Sequence, residues 1–197
     1  MRPDLSIIAD LIKPEARVLD LGCGDGELLA HLQQTKAVNG YGLEIDADKI
    51  ASCIGRGINV LEQNLDDGLT RFDDASFDMV VMTETLQAVK SPHRLLSEML
   101  RIGNECIVTF PNFGHWGCRM ELALRGVMPV AKQLPYPWYD TPNIRLCTFK
   151  DFEALCHELE LRVIERFVTD ASYRNRALLT RLPNTFGVIA FYRLGLS

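Results

Sequence analysis

Short apolar, β-rich runs alternate along the chain with stretches whose apolar residues recur at helical spacing. That alternation predicts an α/β domain around a largely parallel sheet. Arg17 to Leu21 reads as a first strand, and Leu28, Leu29 and Leu32 mark a helix that starts close to Gly26. Asn39-Gly40 reads as a turn before a second strand, Tyr41 to Ile45. Asp46 is placed to cap a helix carrying Ile50 and Ile54 that stops near Gly55 or Gly57. A third strand follows at Ile58 to Glu62 and a fourth at Phe77 to Met82. Ser91-Pro92 then opens a helix, with Ser as N-cap and Pro in its first turn. Leu95, Leu96, Met99 and Leu100 form its buried face, and Glu105 to Phe110 is the fifth strand.

From about residue 111 to 147 the character changes to an insertion rich in aromatics and proline, with Phe113, Trp116, Tyr136, Trp138 and Tyr139. Inside it, Trp116, Met120, Ala123 and Leu124 share one face of a helix from about His115 to Arg125. Thr148 and Asp151 have the spacing of a capping box for a helix over Phe149 to Leu159. Strands near Leu161 to Val168 and Gly187 to Leu194 close the sheet as an antiparallel pair. The expectation is about seven strands with helices on both faces, in one domain spanning residues 1–197.

Composition narrows the function classes. The 197 residues are enough for one continuous core, and 47% apolar with 24% charged is ordinary for a globular chain. A net charge of -5 without a Lys/Arg block argues against a duplex nucleic acid partner. The six cysteines contain no C-x-x-C pair and lie in apolar runs or the glycine loop, which reads as reduced thiols. Residues 1–13 carry Asp4 and Asp10 and lack a long apolar segment, so neither a signal peptide nor a membrane span is expected, and the location expected is cytoplasmic.

The chemistry concentrates at Asp20-Leu21-Gly22-Cys23-Gly24-Asp25-Gly26, the loop after the first strand. A glycine-rich turn there brings a ligand to the backbone. Glu27 stands where a dinucleotide fingerprint needs its third glycine. Charge separates the two cofactor classes further. A carboxylate about 4 Å from a phosphate meets roughly 4 kcal/mol of repulsion at an effective dielectric of about 20. S-adenosylmethionine, with an ammonium and a sulfonium, reverses that sign, so Asp20 is a candidate for its amino group. Helix capping is the competing role for Asp20 and Asp25. Glu44 is placed to accept ribose hydroxyls and Ile45 to cover the adenine. Asn64 and Leu65 lie in the loop that approaches the base, although an Asn-Asp turn explains them equally well. Thr83, at the end of the fourth strand, completes the candidate set.

With these residues the chain resembles the class I methyltransferases. Val18 to Gly26 is similar to their first motif, Gly42-Leu43-Glu44-Ile45-Asp46 to their second, and Ser76 to Val81 to the strand before the acceptor site. Thr83 to Val89, Phe110 to Trp116 and Leu134 to Ile144 resemble, more narrowly, the methionine biosynthesis protein MetW family. That resemblance implies a Rossmann-like methyltransferase fold, S-adenosylmethionine or S-adenosylhomocysteine as cofactor, and homoserine O-acyltransferase as a partner whose activity is supported. It supplies no methyl acceptor. Many small-molecule methyltransferases place an acidic residue and His after the fourth strand, where this chain has Gln87-Ala88. Neither is a general base at neutral pH.

His115 is the candidate titratable group over the acceptor side, with hydrogen-bonded packing as its alternative role. His31, His93 and His157 read as surface residues on helices. Tyr136, Trp138, Tyr139 and Asp140 line an acceptor pocket, present a partner surface or cover the sheet edge. Arg174, Arg176 and Arg181 form a loose basic cluster. Two functions compete: a cofactor-sensing accessory subunit of methionine biosynthesis, and an active methyltransferase for a small metabolite. A nicotinamide-dependent oxidoreductase is disfavoured by Asp20 and Asp25.

Overall fold

Several helices begin where their capping residues put them. The Asp46 side chain accepts the backbone N–H groups of Asp48 and Lys49. Thr148 Oγ1 accepts from Asp151 N at 3.3 Å while the Asp151 carboxylate accepts from Thr148 N at 2.9 Å, a complete capping box. A computed structural model describes residues 2–131, 134–174, 179 and 181–196. Arg176 of the basic cluster lies outside them, while Arg174 and Arg181 are exposed.

In chain order the elements are α1 (Pro3–Leu11), β1 (Arg17–Leu21), α2 (Glu27–Lys36), β2 (Asn39–Glu44), α3 (Ala47–Gly55), β3 (Asn59–Glu62), β4 (Phe77–Thr83), α4 (Pro92–Ile102), β5 (Gly103–Pro111), α5 (Trp116–Arg125), α6 (Phe149–Glu158), β6 (Leu161–Thr169), α7 (Pro183–Phe186) and β7 (Ile189–Leu196). Single 3₁₀ turns at Leu65–Asp67 and Leu86–Ala88 follow β3 and β4. The sheet order is β3-β2-β1-β4-β5-β7-β6. The first five strands are parallel, and β7 runs antiparallel to both β5 and β6. From β1 the chain winds outward to β3, then returns to β4 on the other side of β1. The topological switch point therefore lies between the carboxyl ends of β1 and β4, where open α/β sheets take their ligands.

The central strands are buried on both faces, as a parallel sheet between helix layers requires. Val18, Met79 and Val81 pack with Leu5 and Ile8 of α1 and Leu28, Leu29 and Leu32 of α2. Leu19, Leu21, Val80 and Met82 face the opposite way, onto Leu96 and Met99 of α4 and Phe152 of α6. Each fully buried aliphatic side chain stabilises the fold by about 1.5–3 kcal/mol. No helix among the described residues is long and apolar enough to cross a membrane.

Four expectations change. Asn39-Gly40 is no turn but the start of β2, paired with Arg17 and Val18 of β1. A Cβ on Gly40 would stand 2.8 Å from Leu29 Cδ2, so this glycine lets α2 lie close on the strand. Ser91 holds the N-cap position of α4, but its side chain makes no capping bond. The predicted apolar face of α5 points outward: Trp116, Met120 and Leu124 are exposed, and Cys118 is the buried residue of that helix. Tyr136, Trp138 and Tyr139 are exposed too, which removes the sheet-covering role for them.

Candidate functional site

The glycine loop is tied to the end of β2. Gly22 N and Cys23 N both donate to Leu43 O, at 2.8 and 3.0 Å. Gly24 N donates to Glu44 Oε2 at 2.9 Å, while Glu44 Oε1 takes the N–H groups of Ile45 and Asp46 at 2.8 and 3.1 Å. The two motifs read separately along the sequence thus form one hydrogen-bonded unit. Gly22 has φ +71°, and a Cβ there would stand 2.7 Å from Thr85 Oγ1, so the loop after β4 closes directly on it. Gly24 has φ +59° and open space where a Cβ would be. These two glycines face a cleft; Gly26, at φ +77°, instead packs against Cys53 and Ile58 behind the loop.

The cleft has two lobes that share Gly22, Lys49, Glu84, Thr85, Pro142 and Asn143. One, of about 340 Å³, holds Glu44, Ile45, Asn64 and Leu65. Ile45 is 60% exposed, an apolar side chain kept at the mouth of a cavity. Asn64 Oδ1 accepts from Asp66 N at 3.0 Å, so this Asn makes a turn and still borders the lobe. The other lobe, of about 490 Å³, is bordered by Thr83, Gln87, Tyr136 and Tyr173.

Asp20 sits just behind the loop, 3% exposed, and its Oδ1 has no hydrogen-bond partner. Burial, then the nearby Glu44 charge, pushes its carboxyl from the ordinary 3.8 up to about 7. Such an atom costs about 1–3 kcal/mol unless a ligand or water meets it. Thr83 Oγ1 and Gln87 Oε1 are also buried and unpartnered. Unsatisfied polar atoms therefore gather at the switch point.

Arg2, Glu84 and Tyr173 at the larger lobe, and Asp4 buried against Arg2, escaped the sequence reading. Arg2 holds the buried Asp4 in a fork, Nε to Oδ1 at 3.2 Å and Nη2 to Oδ2 at 2.5 Å, and lies 3.9 Å from Glu84. Burial and the Asp4 charge raise the Glu84 pKa, against the pull of Arg2. Burial pushes the Tyr173 hydroxyl up to about 12. Glu84 also has φ +49°, a left-handed conformation for a residue with a side chain, held by its N–H on Thr109 O and Oγ1 at 3.1 and 3.0 Å. Asp4 could have been found: it stands with Leu5, Ile8 and Ala9 on the apolar face of α1, where a charge needs a reason.

The remaining candidates lie elsewhere. Cys23 Sγ turns away from the cleft to within 3.9 Å of Cys53 Sγ, and burial raises the pKa of both thiols. Asp25 accepts from Glu27 N at 3.3 Å and pairs with Arg56 at 2.8 Å, the helix-capping alternative. His115 caps α5, its Nδ1 accepting from Gly117 N at 3.1 Å, and burial lowers its pKa. It lines a separate cavity with Cys118, Pro129 and Phe186.

A cleft at the switch point of this sheet order is the geometry of a methyltransferase-type fold, and comparison with known proteins agrees. The model of the family "Methionine biosynthesis protein MetW" matches residues 2–194. The chain belongs to the MetW family. A curated relative, the bifunctional methionine biosynthesis protein MetXA/MetW of Rhodopirellula baltica, is 34% identical over 202 residues that cover 96% of this chain. The chain spans 32% of that relative's length, so the relative carries much more than a MetW-like unit. Among solved structures, a SAM-dependent methyltransferase from Archaeoglobus fulgidus superposes with a TM-score of 0.71 at 17% identity, covering 98% of this chain and 91% of that one. A SAM-dependent methyltransferase from Thermotoga maritima, described as a possible histamine N-methyltransferase, gives 0.68 at 18% identity, covering 99% and 88%. At these identities the likeness establishes the class I methyltransferase fold for this MetW chain.

Proposed function

We propose that this MetW chain binds S-adenosylmethionine or S-adenosylhomocysteine in the cleft between β1, β2 and β4, and that it acts as a cofactor-responsive accessory subunit supporting homoserine O-acyltransferase. The buried, unpartnered Oδ1 of Asp20 beside Gly22 and Gly24 carries the cofactor half of this reading. It offers an acceptor to an ammonium, and a phosphate would meet Asp20, Glu44 and Glu84 instead. Gly22 and Gly24 let the cofactor approach the backbone, and Glu44 Oε2, with one N–H bond, keeps a lone pair for a ribose hydroxyl. Ile45 and Leu65 offer apolar cover to the adenine, and Thr83 borders the methionine end. When bound, S-adenosylmethionine supplies an electrophilic methyl group on a sulfonium. The partner half rests on the relative whose single chain joins MetXA with MetW.

One observation favours a second reading, an active methyltransferase for a small metabolite. Glu84 is strained, has a raised pKa and touches both lobes, the setting of a candidate acceptor base. Glu84 borders the cleft, whereas His115 borders a separate cavity.

Calorimetry on the full chain, stripped of carried-over ligand, tests the first reading. Saturable one-to-one binding of S-adenosylhomocysteine is expected, weakened at least tenfold for S-adenosylmethionine by Asp20→Asn. No binding by the wild-type chain overturns the cofactor half. Release of labelled methyl to a metabolite extract, lost in Glu84→Gln, moves the conclusion to the second reading.

A further inference from the structure

Most of the exposed large apolar side chains among the described residues fall between Trp116 and Leu146. Within this stretch, residues 135–146 stand apart because they have two distinct sides. Pro135, Tyr136, Pro142 and Asn143 border the cleft. Trp138 and Tyr139 are 72% and 75% exposed, with ring centroids 5.8 Å apart in an edge-to-face pair, and Ile144 and Leu146 are exposed beside them in the chain.

This segment is braced rather than loose. Arg145 N donates to Gln87 O at 2.9 Å, and its guanidinium donates to Lys90 O at 3.2 and 3.3 Å. The braces hold it on the Leu86–Ala88 turn, whose Gln87 and Ala88 themselves border the two lobes. A folded chain gains nothing by holding a Trp-Tyr pair in water. The same pair desolvated at the centre of an interface is the kind that dominates binding energy.

Resting on the acyltransferase reading above, we infer that the exposed face of residues 135–146, led by Trp138 and Tyr139, is where homoserine O-acyltransferase docks, and that ligand in the cleft behind it tunes the docking. The occupant follows from the MetXA/MetW relative, in which a MetW-like unit accounts for 32% of one polypeptide. Fusion there supplies high effective concentration. Whether or not the two units share a chain, the contact itself needs side chains that gain by being desolvated, and exposed Trp and Tyr are of that kind. The coupling follows from the shared wall: a ligand against Tyr136, Pro142 and Asn143 braces from within the segment that carries Trp138. By linkage the partner changes ligand affinity by the same factor.

The test uses the full chain and the purified acyltransferase of the same organism, with affinity measured with and without saturating S-adenosylhomocysteine. The wild type is expected to bind, the double variant Trp138→Ala/Tyr139→Ala to bind at least tenfold more weakly, and Ile54→Ala, at a 66% exposed position on α3, to bind unchanged. Saturating ligand is expected to shift the wild-type Kd at least threefold. Unchanged urea midpoints and S-adenosylhomocysteine affinity in the variants show that they remain folded. If the wild type does not bind, the acyltransferase reading falls and takes this inference with it. If the double variant binds like the wild type, that reading stands and the surface is elsewhere. A Kd unmoved by ligand overturns the coupling. Self-association abolished in the double variant, with acyltransferase binding intact, assigns the face to a second copy and also overturns the proposal.

Discussion

Asp20 shows how much of the candidate chemistry depends on where one carboxylate is buried. Its pKa, raised from 3.8 to about 7, means that the folded chain keeps a proton that the unfolded chain has released between those values. The stability contributed by Asp20 is therefore complete below about pH 4, is lost as pH rises to about 7, and is flat above. Binding of a cationic ligand has the opposite slope, since it needs the carboxylate. The affinity for S-adenosylmethionine is expected to rise by up to tenfold per pH unit from pH 5 to about 7 and then level off, with Asp20→Asn flat throughout. Calorimetry across that range checks it, and a wild-type profile as flat as the variant's would show that Asp20 is already ionised in the free chain. The sequence marks Asp20 as a strand-end carboxylate beside glycines. Its orphaned oxygen, and the Glu44 and Arg2 charges that act on it, come from tertiary packing.

At the scale of elements, the site depends on the glycine loop being fastened to β2. Gly42 shows how close that fit is: a Cβ there would collide with Cys23 Sγ and stand 3.0 Å from Cys23 Cβ. Gly42→Ala is expected to cost about 1–3 kcal/mol, the range for overpacking a tight core, and to push the loop off the Leu43 carbonyl. Urea unfolding reads the first effect and a weaker S-adenosylhomocysteine Kd the second; a neutral substitution in both would mean that the loop can slide without loss. Helix existence and ends were legible where capping chemistry is local, as at Asp46 and Thr148–Asp151. The orientation of α5 was not. A stripe of Trp116, Met120 and Leu124 carries the same period whether it faces a core or a partner, and periodicity alone does not say which. Asn39-Gly40 misled for a related reason: the dipeptide suits a turn, yet glycine is also the residue that lets Leu29 pack on a strand.

For the whole molecule, ligand and fold are linked by mass action. A ligand that binds only the folded chain adds about 2.7 kcal/mol at a hundredfold excess over its Kd, which for a chain of this size raises Tm by roughly 5–10 °C. S-adenosylhomocysteine is expected to do this by thermal melting and a nicotinamide dinucleotide is not; the reverse order would overturn the phosphate argument.

The sequence by itself determined the layered α/β class, the seven strands, the antiparallel closing pair and the motifs after β1, β2 and β4. These rest on short-range physics: hydrophobic period, capping side chains, and glycines that permit a positive φ. Only the tertiary structure decided which motif residues face the cleft and which turn away. Asp25 pairs with Arg56, thirty-one positions along the chain, and Cys23 packs against Cys53. It likewise brought Arg2, Asp4 and Glu84 together and left Trp138 and Tyr139 in solvent. Those outcomes depend on contacts between residues far apart in the chain, where burial and partner are settled by how the layers close rather than by any local pattern.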